Sequence, residues 1–170
     1  MRRNGMMAGL LFGVLMTSGC GPAELKPFTP PGGGWTASFP GEPKSQTQNQ
    51  MGITLTMYAV EERNGAYLVS VNQLPENIPD DQVQARLKDA RDGAINASGA
   101  KLISDKPLKL DGKYPGIELR ASITKPIDGI IRQRIYLVGK TMYQIMVLGK
   151  ESLTDSDHST KFLDSLTLTK

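Results

Sequence analysis

Hydrophobic and polar positions alternate with period two in some stretches of the chain and with period 3.6 in others, and their order predicts the architecture. Trp35, Ala37 and Phe39 alternate with polar neighbours, which predicts a short first strand ended by Pro40-Gly41-Glu42-Pro43. The β-branched and aromatic runs ITLTMYAVE (Ile53 to Glu61) and AYLVSVNQL (Ala66 to Leu74) flank Asn64-Gly65, the signature of a hairpin. Pro79-Asp80-Asp81 then opens a helix in which Val83, Leu87, Ala90 and Ala94 recur at helical spacing, with Arg86, Lys88, Asp89 and Arg91 elsewhere on the wheel and Ser98-Gly99 as the stop. Four further strands are predicted, Lys101 to Leu110, Gly116 to Ile123, Gly129 to Val138 and Thr141 to Leu148, with turn signals at Asp111-Gly112 and Gly139-Lys140. The last of these, TMYQIMVL, is apolar on both faces and belongs in the middle of the sheet. Thr154 to Ser165 reads as a closing helix, capped by Thr154 or Asp155, with Phe162 and Leu166 facing inward. The sum is an α+β domain, an antiparallel sheet of about six to seven strands with two helices packed on it.

The first residues follow a different logic. Arg2 and Arg3 precede an apolar run from about Met6 to Met16, then small residues lead to Cys20. At roughly 11 residues the run falls short of the ~20 that a membrane-crossing helix needs, so it reads as a secretory signal. Met16-Thr17-Ser18-Gly19-Cys20 resembles the bacterial lipobox, with Thr17 in place of the commoner leucine. That resemblance implies cleavage after Gly19, a diacylglyceryl thioether on the Cys20 sulfur, and often acylation of the new amino group. Several acyl chains anchor stably, since each buried methylene contributes ~0.8 kcal/mol. Gly21 is not the aspartate that often retains such proteins in the inner membrane, so the expected location is the cell envelope, on the outer membrane facing the periplasm. The stretch GPAELKPFTPPGGG from Gly21 to Gly34 reads as a Pro/Gly-rich tether. The expected organisation is a signal at 1–19, a lipidated cysteine and tether at 20–34, and one domain at 35–170.

Composition sharpens this picture mainly by exclusion. The net charge of +3 includes Arg2 and Arg3, and without them 18 basic residues face 17 acidic ones. A nearly neutral mature chain gives no reason to invoke nucleic acid. Cys20 is the only cysteine, so the mature chain has no internal disulfide and no free thiol for chemistry once it is lipidated.

FPGEPK after the first strand, and YLVGKTMYQIMVLG followed by a helix ending FLDSLTL, make the chain similar to the PsbP-like fold over roughly Trp35 to Lys170. The resemblance implies the fold and carries no cofactor or metal motif, and a photosynthetic role does not follow from it.

Candidate chemistry is sparse. His158, the only histidine, lies in Asp155-Ser156-Asp157-His158-Ser159, where sequence neighbours read as a polar helix start and not as a converging triad. The pairs Glu61-Glu62 and Asp80-Asp81 read as solvated turn or cap residues, and Gly32-Gly33-Gly34 as linker. No catalytic set, metal site or cofactor is expected. Arg120, Arg132 and Arg134 alternate with apolar residues on two neighbouring strands, and with Tyr136 and Glu118 they are expected to form an anion- or protein-binding surface, or else a cross-strand pair with Glu118. The function expected is a noncatalytic binding or scaffolding domain, held on the membrane through lipid on Cys20 and meeting an envelope protein partner. The alternative is a small-ligand receptor or enzyme using a sheet/helix pocket with Tyr136, Tyr143 and the arginines.

Overall fold

The computed structural model describes residues 23–50, 53–125 and 128–169. The expected signal, Cys20 and the first part of the tether lie outside the described residues. Seven strands make up the large sheet, the polar β3 (Lys44–Gln50) and six that follow the hydrophobic runs: β4 (Ile53–Glu62), β5 (Gly65–Gln73), β6 (Lys101–Leu110), β7 (Tyr114–Ile123), β8 (Gly129–Val138) and β9 (Thr141–Gly149). They form one sheet in the order β3-β4-β5-β9-β8-β7-β6, antiparallel throughout. The doubly apolar β9 occupies its centre. Between β5 and β6 the chain crosses the sheet as helix α1 (Val83–Ser98). Gly99 ends α1 in the left-handed region at φ 61°, where its N–H and that of Ala100 donate to the carbonyls of Asn96 and Ile95.

Side chains leave the sheet alternately on two faces, and each face has its own core. One core gathers Tyr67, Val69, Tyr136, Ile145 and Val147 under a small sheet of β1 (Lys26–Phe28), β2 (Trp35–Phe39) and β10 (Thr167–Leu168), together with Phe162 and Leu163 from α3 (Asp157–Asp164). The other gathers Leu119, Ala121, Ile131, Ile135 and Met142 beneath Leu87 of α1. Each fully buried Val, Leu, Ile or Phe among them stabilises the fold by about 1.5–3 kcal/mol.

The structure departs from the sequence expectations in four places. First, α1 starts only at Val83, so Pro79, Asp80 and Asp81 precede it and its first turn holds no acid. The packed chain begins before Trp35: Lys26 to Phe28 pairs with β2, and the Phe28 ring lies 5.4–6.1 Å from the rings of Trp35, Phe39 and Tyr58. The polar run KSQTQNQ is a full edge strand, β3. The closing helix is broken in two, α2 (Glu151–Thr154) and α3, and its cap is Ser156, not Thr154 or Asp155. Ser156 is extended at φ −70°, ψ 154°, and its hydroxyl accepts from the Ser159 N–H at 3.1 Å, the bond an N-cap must make.

Candidate functional site

Glu118 and Arg120 on β7 and Arg132, Arg134 and Tyr136 on β8 share one parity, and the register sets Glu118 opposite Arg134 and Arg120 opposite Arg132. The structure therefore places the three arginines on one face, the face that carries α2 and α3. Their hydrogen bonds run mostly inward to those helices. Arg134 donates through Nε to Glu118 at 2.7 Å and through a terminal nitrogen to Asp164 at 2.6 Å and the Leu163 carbonyl at 2.9 Å. Burial works against its charge, but the bonds to Asp164 and Glu118 outweigh it and raise its pKa. Arg120 bridges Glu151 and Asp155, which tethers the α2 segment to the sheet. Arg132 donates to the Thr154 carbonyl at 2.8 Å and to the Thr160 hydroxyl at 3.1 Å, satisfying an acceptor that the end of α2 leaves free. Among the described residues it has no carboxylate partner.

Tyr136 adds little exposed area to this surface. It is 3% exposed and belongs to the core, with its hydroxyl pushed above the usual range by burial and only partly restored by Arg134. Tyr143 is likewise buried. Tyr136 nonetheless edges, with Glu118, Arg134, Leu163 and Asp164, a groove of about 340 Å³ between the sheet and the end of α3. A neighbouring groove of about 490 Å³ is edged by Ser104, Lys106, Glu118, Arg120, Arg132 and Asp155, and in it the cations are interleaved with carboxylates.

The residues around His158 serve packing. Asp155 pairs with Arg120, Ser156 caps α3, and the Ser159 hydroxyl donates to the Leu153 carbonyl at 2.7 Å. The imidazole itself packs edge-on to Tyr67, with ring centroids 5.7 Å apart. Among the described residues, no group of three His, Cys, Asp or Glu stands close enough to hold a metal ion, and no helix is long and apolar enough to cross a membrane.

A second site lies on the opposite face, between α1 and the sheet. This cleft of about 320 Å³ is lined by Ile53, Asn72, Met142 and Gln144 from the strands, by Leu74 just past β5, and by Arg86, Asp89, Ala90 and Ala94 from α1. It exists because α1 lies chiefly over β7 and β8 and leaves this face of β4, β5 and β9 largely uncovered. Arg86 Nε and Asn72 Oδ1 are both buried there without a hydrogen-bond partner. Nearby, Gln133 donates to Gln144 at 2.6 Å, although Gln133 is only 5% exposed. Reading the sequence by its apolar stripe passed over these residues, since Arg86 falls off that stripe. The available signal was polar residues, Asn72, Gln133 and Gln144, at positions of inward parity in otherwise apolar strands.

No protein-family model matches the chain, and no curated protein matches it. Among solved structures, the solution structure of cyanobacterial PsbP (CyanoP) from Synechocystis sp. PCC 6803 matches with a TM-score of 0.59 and 15% sequence identity, covering 89% of this chain and 96% of that one. The domain therefore has the PsbP-like α+β fold. At that identity the likeness speaks for the fold alone.

Proposed function

We propose that the chain is a cell-envelope lipoprotein, cleaved after Gly19 and anchored through Cys20, whose domain binds or supports another envelope component without catalysing a reaction. The observation that carries this reading is the ordered sequence Arg2-Arg3, apolar run, Met16-Thr17-Ser18-Gly19-Cys20. An outer-membrane position facing the periplasm fits the absence of aspartate after Cys20. The start of β1 at Lys26 gives the anchor a further consequence, for the span from Cys20 to Lys26 reaches at most ~20 Å at about 3.4 Å per residue. The domain is thus held close to the bilayer.

The two edges of the large sheet support a partner-binding role. Edge β6 carries Pro107, Lys101, Lys106 and Lys109, and a register shift between Leu102 and Ser104, all of which discourage pairing. Edge β3 carries none of these beyond Lys44 at its start, runs in unbroken register with β4, and is exposed from Lys44 to Asn49. An extended segment of an envelope protein would add to β3 by main-chain pairing. Arg132, beside Lys106, is the part of the arginine face still suited to an acidic group on such a partner. A second reading, a small-ligand receptor, is favoured by one observation, the unpartnered polar atoms in the α1 cleft.

Intact-mass measurement on protein from native membranes, beside a Cys20→Ser variant, tests the anchor. The expected result is loss of residues 1–19 plus acyl mass in the native form only, and an unlipidated mature native form would sink it. Crosslinking in the same membranes tests the edge: Thr47→Pro should abolish a specific adduct that Lys109→Pro on β6 leaves intact.

A further inference from the structure

The α1 cleft presents a definite set of chemical demands. On its helix wall the Arg86 guanidinium offers forked donors, and Nε is sealed from solvent with nothing to bond. On its strand wall Asn72 Oδ1 is an equally sealed acceptor with no donor. The Gln144 amide accepts from Gln133, while its own N–H meets only the Met142 sulfur at 4.0 Å, a weak acceptor. Buried polar atoms left unpaired are costly, and here two of them line one cleft from its helix and strand walls. Ile53, Leu74, Ala90, Ala94 and Met142 supply the apolar part of the lining.

We propose that this cleft binds an apolar amino acid through its α-carboxylate, either as the free compound or as the last residue of a peptide. The carboxylate accepts from Arg86 and from the free N–H of Gln144, the pairing for which a guanidinium fork is best shaped. The α-nitrogen, one carbon removed from the carboxylate, donates to Asn72 Oδ1 once the entering ligand parts the side chains that seal it. The side chain lies against Met142, Leu74 and Ala94. Asp89 at the edge excludes phosphate and other multiply charged anions and favours a nearby ammonium. A volume of about 320 Å³ is at the small end for ligand pockets and suits a single residue.

This inference rests on the small-ligand reading and is independent of the anchor. It is tested by isothermal titration of the full chain, purified from native membranes in mild detergent, with L-leucine, N-acetyl-L-leucine, the peptide Gly-Gly-Leu, and leucinamide. Binding is expected for at least one of the three carboxylates and should weaken roughly tenfold or more in leucinamide and in Arg86→Gln. Preference for L-leucine identifies the free amino acid as ligand, and preference for the other two identifies a peptide end. Asn72→Leu, which keeps Arg86, should weaken binding while far-ultraviolet circular dichroism stays unchanged. Absence of binding by all three carboxylates at about 10 mM, or equal binding of leucinamide, overturns the proposal. Neither outcome bears on the acyl mass at Cys20.

Discussion

Arg134 joins layers of the fold that the sequence keeps well apart: Glu118 on the neighbouring strand, and Leu163 and Asp164 at the end of α3. Arg134 and Glu118 are 13% and 15% exposed in their side chains, so Arg134→Ala leaves a largely buried carboxylate with only Lys106 at 3.6 Å and a carbonyl without its donor. A loss of about 2–4 kcal/mol is expected in urea denaturation. Arg120→Ala removes pairs to Glu151 and Asp155, which are 70% and 44% exposed, and should cost only about 0.5–1 kcal/mol. Equal losses would mean that burial does not govern these pairs. The tyrosines set the alkaline limit. Burial raises the hydroxyl pKa values of Tyr67, Tyr136 and Tyr143 above the ordinary 10.0, so the folded chain keeps protons that the unfolded chain gives up. Their contribution is fully present below about pH 10 and is lost as pH rises from there through the folded values. Urea midpoints between about pH 9 and 11 should fall less steeply for Tyr143→Phe than for the parent, and equal slopes would remove burial of that phenol as the cause.

At the scale of elements, the end of the sheet where β5, β8 and β9 meet is fixed by backbone contact. Gly65 and Gly149 pair directly, and a Cβ on Gly149 would meet the Asn64 carbonyl oxygen at 2.2 Å. Gly149→Ala should therefore lower stability by more than about 3 kcal/mol, whereas Gly112→Ala, with open space and only its positive φ to oppose it, should cost about 1 kcal/mol. Thermal melts of the two variants separate steric contact from backbone strain. Elements like these strands were legible in the sequence because their own side chains supply the burial, as Ile145 and Val147 do for β9. β3 was not, since its side chains from Lys44 to Asn49 are all exposed and it is a strand only through its pairing with β4. β1 and β10, three and two residues long, owe their existence to β2 in the same way. The arginine face was legible in its parity. Its partners Glu151, Asp155 and Asp164 were not, because they come from a helical segment 30 to 35 residues away whose docking no local pattern records.

At the scale of the whole molecule, the proposed anchor and the fold together would orient the domain. β1 starts at Lys26, opposite Phe39, and the following turn brings Gly41 against Val60, near the β4–β5 hairpin. A cleft between Ala23, Glu24 and Lys26 on one side and Pro40, Gly41, Glu42 and Pro43 on the other shows that the incoming chain and this turn lie side by side. The Gly139-Lys140 turn stands at the other end of the large sheet, where the Lys140 carbonyl accepts from Leu74. The nine residues of β5 separate these ends by about 27 Å at ~3.4 Å per residue. With an anchor no more than ~20 Å from Lys26, the proposed lipoprotein must turn its Glu42 end to the bilayer and its Lys140 end away. A spin label at Glu42→Cys should be relaxed strongly by nickel-chelating lipids in reconstituted vesicles, and one at Lys140→Cys weakly. A long Gly/Ser insertion between Gly21 and Pro22 should erase the difference by freeing the domain. Equal relaxation at the two positions without the insertion would mean that Lys26 to Phe28 does not hold to β2 on the membrane. The span from Cys20 would then again be the whole Pro/Gly stretch, and the near-membrane orientation would be lost.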